Sequence, residues 1–158
     1  MFLLAGGVAW ALMAREDRFL PEFRRLLTDF TVETGTSRFL TGRSVARGRY
    51  DSRAVAISLD VGRGEHRMGS LIVAVKTSEP LSLSGADIDD RAKGDAARRG
   101  LFTLAVEEMM LTVDEGWLRA RWQPLGWRTF PGRFSEAKWR KVLDSLNAVA
   151  SALDAPQA

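Results

Sequence analysis

The sequence predicts an α+β fold: two layers, an antiparallel β-meander of about five to six strands packed against helices, with an apolar N-terminal helix and a long C-terminal helix. Three patterns carry this. Between Arg53 and Thr77, Val55, Ile57, Leu59 and Val61 alternate with Ala56, Ser58 and Asp60; after a Gly62-Arg63-Gly64-Glu65 turn, Leu71, Val73 and Val75 alternate with Ile72, Ala74 and Lys76. A period of two puts each apolar set on one face of a pleated sheet, so the ribbon must lay that face against something else. Met110 to Trp122 repeats the pattern as a second hairpin, and Trp139, Val142, Leu143, Leu146, Val149, Ala150 and Leu153 form one helical stripe. No internal repeat is present, and the expected organisation is an apolar segment at 1–18, one α+β domain at 19–154 and a frayed tail at 155–158.

Bulk composition narrows the function classes. A chain of 158 residues, 46% hydrophobic and 27% charged, is one ordinary globular domain rather than a disordered chain. It has no cysteine, which removes disulfides, thiolate metal sites and cysteine nucleophiles. The net charge is +3, yet basic and acidic residues are mixed along nearly the whole length, so no block marks a polyanion-binding arm.

The first element is uncharged from Phe2 to Ala14 and ends at Arg15-Glu16-Asp17-Arg18. It is too short for a bilayer core, which needs roughly 20 residues, and it has neither the basic start nor the h-region of a secretory signal. Two readings stand: a buried helix, with Leu4, Val8 and Leu12 at i, i+4 and i+8, or the end of a membrane anchor that begins upstream of Met1. In the second, Arg15 and Arg18 place the domain on the cytoplasmic side. Phe19, Phe23, Leu26, Leu27 and Phe30 extend helical spacing, with Pro21 as a break or a first-turn residue and an end near Gly35.

Between Ser37 and Tyr50 a strand or two feeds the main hairpin through an Asp51-Ser52 turn, and Arg43, Arg47 and Arg49 share one parity and hence one wet face. The glycine-rich segment from Gly62 to Gly69 fails as a phosphate loop, because Arg67 stands where the third glycine belongs and a strand follows. His66, the one histidine, has no carboxylate pattern to orient it as a base.

Leu81 to Ser84 reads as a further short strand, and Gly85 to Gly100 as a surface loop. That loop holds Asp87, Asp89, Asp90 and Asp95 and is the best metal candidate in the chain, although it lacks the glycine and glutamate of an EF-hand. A helix follows from about Ala96, with Leu101, Leu104, Ala105 and Met109 on one face, widened by Phe102 and Val106. In the second hairpin the Asp114-Glu115-Gly116 turn fits a three-residue connection with a bulge. Leu118, Ala120 and Trp122 face one way and Trp117, Arg119 and Arg121 the other. The closing helix opens with Ser135 as N-cap and Phe134 stapled against Trp139.

Every catalytic, nucleotide and metal pattern tested fails, so no catalytic residue, cofactor or small-molecule substrate is nominated. The leading expectation is a non-catalytic interaction or scaffold domain, tethered to the cytoplasmic face of a membrane by its apolar start. Its partner would be another protein or an anionic membrane surface. The candidate patch is Trp117, Arg119, Arg121, Trp127 and Arg128, joined by Arg47 and Arg49, because Trp and Arg are enriched at interface hot spots. The first alternative is a nucleic-acid or other polyanion binder using Arg43, Arg47, Arg49, Arg119 and Arg121. The second is an enzyme with an unfamiliar acidic site at Asp87, Asp89, Asp90 and Glu107 holding a divalent cation.

Overall fold

Stretches rich in β-branched and aromatic residues become six strands: β1 Thr28–Glu33, β2 Val45–Tyr50, β3 Arg53–Asp60, β4 Ser70–Lys76, β5 Met109–Asp114 and β6 Trp117–Trp122. The helices are α1 at residues 21–26, α2 Gly85–Arg91, α3 Asp95–Val106 and α4 Glu136–Asp154. This computed structural model describes residues 21–33, 45–60, 70–122 and 135–156. The expected apolar helix at 2–14, the glycine-rich turn with His66, Arg43, Trp127, Arg128 and the Phe134 staple lie outside the described residues.

All six strands form one antiparallel sheet in the order β1-β2-β3-β4-β6-β5. The first four are sequential neighbours, as a meander requires. The chain then leaves β4, passes through α2 and α3, enters the far edge as β5 and returns as β6 between β5 and β4. Alternation decides what each face meets. Val55, Ile57, Leu71, Val73, Val75, Leu118 and Ala120 are at most 1% exposed and point toward the helices, so the predicted buried faces of both ribbons are one continuous surface. The stripe of α4 seals it, with Trp139, Val142, Leu143, Leu146 and Val149 fully buried. Phe23 of α1 joins the same layer, its ring 4.6 Å from that of Trp139.

The start of α4 follows from its cap: the Ser135 hydroxyl accepts from the Lys138 N–H at 3.3 Å. Its far end is tied to the sheet. Arg53 meets the Asp154 carboxylate at 2.6 Å and donates to the Lys76 carbonyl at 3.0 Å, while the other Asp154 oxygen accepts from the Ser78 N–H at 2.7 Å. An acid at a helix C-terminus opposes the helix dipole, and Arg53 offsets it.

Local details correct several expectations. Phe30 does not continue the first helix; it lies in β1, where Thr28, Thr31 and Val32 favour extended backbone, and Asp29 at φ 52° marks an irregularity in the β1–β2 register. Leu81 to Ser84 is not a strand but a single bridge, Leu83 to Val113, which covers part of the β5 edge. The segment from Gly85 to Gly100 is not a loop. It folds as α2 and the start of α3, because Ile88, Ala92 and Ala97 are enough to anchor two short helices whose other faces are polar.

In α3 the buried side is Ala97, Gly100 and Leu104 rather than the wider predicted face: Phe102 is 72% and Val106 61% exposed, and Met109 already belongs to β5. Small residues win that side because α3 crosses α4 closely; a Cβ on Gly100 would sit 2.8 Å from the Ser145 carbonyl oxygen. The β5–β6 turn has two residues, not three, since Asp114 pairs with Trp117 and both Glu115 (φ 51°) and Gly116 (φ 76°) are left-handed, as a type I′ turn requires.

Candidate functional site

The residues that alternate outward from the core make the other face of the sheet, and no described helix lies on it. Strand register sets its layout. Thr31, Arg47, Ala56, Ala74, Arg119 and Thr112 are successive partners in one row from β1 to β5. Beside it, Arg49 pairs with Ala54 and Lys76 with Trp117; on the other side Ser58, Ile72, Arg121 and Met110 are partners in turn. Arg47, Arg49, Arg119 and Arg121 therefore share a face, and so does Trp117. The two arginine rows stand on β2 and β6 with β3 and β4 between them, about 14 Å apart at about 4.8 Å per strand.

Between the rows the floor is small and mostly aliphatic: Ala54, Ala56 and Ser58 on β3, Ile72 and Ala74 on β4. These side chains are half-buried, except Ala74, which is buried. Lys76 closes one end, its ammonium 5.1 Å from the Trp117 ring centroid and 3.3 Å from the Glu115 carbonyl. Arg119 pairs with Asp114 at 3.2 Å, both substantially exposed, and Arg49 donates to the Ser52 carbonyl at 2.7 Å. The Arg121 side chain has no ion-pair or hydrogen-bond partner among the described residues. Such an exposed pair is worth about 0–1 kcal/mol, so it can be exchanged for an incoming acid at little cost.

Sequence reasoning missed Lys76 and the floor. Both were visible in the alternation of the main hairpin, but their meeting with Trp117 depends on β6 pairing with β4, a long-range choice that local pattern does not encode.

The acids of the metal reading are not brought together. The Asp87 carboxylate accepts from both the hydroxyl and the backbone N–H of Ser84, capping α2, and these bonds hold it below the usual aspartate range. Glu107 is 2.7 Å from Lys138 on α4. Asp89 and Asp90 are exposed on α2. Among the described residues no group of three or more His, Cys, Asp or Glu is placed to hold a metal ion.

On the helical side, the Tyr50 hydroxyl donates to Asp144 at 2.6 Å, and Asn147 donates to the Tyr50 carbonyl at 3.4 Å. Burial first, then the bond to Asp144 and that residue's charge, push the phenol up to about 12. This polar link joins sheet to helix and lies away from the arginine rows. Among the described residues no helix is long and apolar enough to cross a membrane. No protein-family model, curated protein or solved structure matches the chain.

Proposed function

We propose that the chain is a non-catalytic interaction domain that binds its partner through the sheet face opposite the helices. One observation carries the reading: Arg47, Arg49, Lys76, Arg119, Arg121 and Trp117 stand on a single surface around a small aliphatic floor. The face on the other side supplies the core, so these residues are not needed to seal the fold. Arginine and tryptophan offer large contact area with directional donors, the combination that dominates interface energetics. Asp87 is engaged in capping α2 and Glu107 in an ion pair with Lys138, which supports a binding role over an acidic catalytic site built on them.

The proposal includes a tether, in which the apolar segment 2–14 holds the domain at the cytoplasmic face of a membrane. Release of the intact chain into the detergent-free fraction of lysed cells as a monodisperse species would remove the tether and leave the sheet surface untouched.

A photo-reactive residue in place of Thr112, on the outer face of edge strand β5, tests the surface in the intact protein, with the same residue in place of Lys141 on α4 as control. A discrete adduct from position 112 and none from 141 is the expected result. Equal labelling from both positions, or none from 112, would contradict it. The basic face also favours a second reading, a polyanion surface; affinity for single-stranded nucleic acid falling steeply with salt would support it, and absence of binding at low ionic strength would end it.

A further inference from the structure

Resting on that reading, we infer that the partner contributes an amphipathic α-helix with acidic residues along both flanks, laid along β3 and β4 between the two arginine rows. Width is the first argument. The rows on β2 and β6 are about 14 Å apart, and a helix with its side chains is about 10–12 Å across, so one helix fills the space and two do not. The floor is the second. Ala54, Ala56, Ser58 and Ala74 carry almost no side chain above the sheet, and Ile72 is the one large aliphatic among them, so a helix can approach closely and bury an apolar stripe. From Ala54 to Ser58 the floor runs about 13 Å, matching two to three helical turns.

Charge is the third argument. A helix seated there turns one flank toward Arg47 and Arg49 and the other toward Arg119 and Arg121. Glutamates or aspartates at i, i+3 or i+4 on each flank meet guanidinium forks suited to paired oxygens.

Other occupants fit less well. Single-stranded nucleic acid needs aromatic platforms along its path, whereas the floor is aliphatic and Trp117 at its end is occupied by Lys76. A bilayer is broad and cannot descend between rims of arginine to an alanine floor. The chain's own segment 2–14 is apolar but uncharged, and it offers nothing to the arginines.

The test uses the full chain with methyl and amide resonances assigned. The probe is a synthetic peptide of about sixteen residues with alanine and leucine at i, i+3, i+4 and i+7 and glutamate on both flanks. It is compared with the same peptide carrying lysine for glutamate, a single-stranded oligonucleotide, and vesicles of phosphatidylserine and phosphatidylcholine. The glutamate peptide alone is expected to shift the signals of Ala54, Ala56, Ile72 and Ala74 and to gain helicity on binding. Arg49→Glu with Arg121→Glu should weaken it at least tenfold and admit the lysine peptide; Arg121→Ala, which leaves the turn contact of Arg49 intact, should weaken it at least threefold. A floor unmoved by the glutamate peptide overturns the inference. So does equal or stronger perturbation by the oligonucleotide or the vesicles, in which case the surface survives with a different partner. Should the cross-linker at position 112 capture only residues 2–14 of the same chain, inference and surface fall together.

Discussion

Tyr50 shows how much one side chain can report. It is the single tyrosine in the chain, its hydroxyl is bonded to Asp144 on α4, and its pKa is pushed up to about 12. The unfolded chain releases the phenolic proton near pH 10 and the folded chain only near 12. Between those values the unfolded state binds fewer protons, so stability is intact below pH 10 and falls as pH rises through this window. Tyrosinate absorbance should therefore rise late, with a midpoint well above the ordinary phenol, and Asp144→Asn should move that midpoint downward. A midpoint at the free-tyrosine value would mean that the bond between sheet and helix is not made in solution.

Elements were legible where a period was long and uninterrupted. The alternation of β3, β4 and β6 and the stripe of α4 each persist over several repeats, and the structure places their buried residues as the pattern predicts. Short elements escaped for physical reasons. β1 follows a helical Phe and Leu spacing so closely that Phe30 reads as its continuation, and only pairing with β2 decides otherwise. The helices α2 and α3 bury few residues, and their anchors are alanine and glycine, which carry little hydrophobic signal.

Gly100 is the clearest case, because its value lies in what it lacks. Gly100→Ala should gain about 1 kcal/mol in helix propensity but force a methyl against the Ser145 carbonyl, 2.8 Å away on a backbone that cannot rotate aside. Overpacking typically costs about 1–3 kcal/mol, so a net loss of about 1 kcal/mol is expected in denaturant unfolding. A variant more stable than the parent would show that α3 and α4 are not in close contact.

At the scale of the molecule, the sheet has two faces with opposite tasks. One is apolar, continuous and sealed by α1, α2, α3 and α4; the other carries arginines on two strands around small side chains. Which residues belong to each face was readable from parity alone. That Arg47 stands opposite Arg119 across two strands, with Arg49 in the neighbouring row on one side and Arg121 in the neighbouring row on the other, was not, because it requires β6 to insert between β4 and β5. Long-range pairing of this kind is decided by the fold as a whole, after local propensities have been satisfied.

The division of labour between the two faces can be measured on the free protein with a soluble paramagnetic probe and methyl relaxation. Ala54, Ala56 and Ile72 should be broadened strongly, while Val55, Ile57, Val73 and Val75, their neighbours in sequence, should stay sharp. Equal protection of both sets would contradict an open binding face and with it the function proposed for the chain.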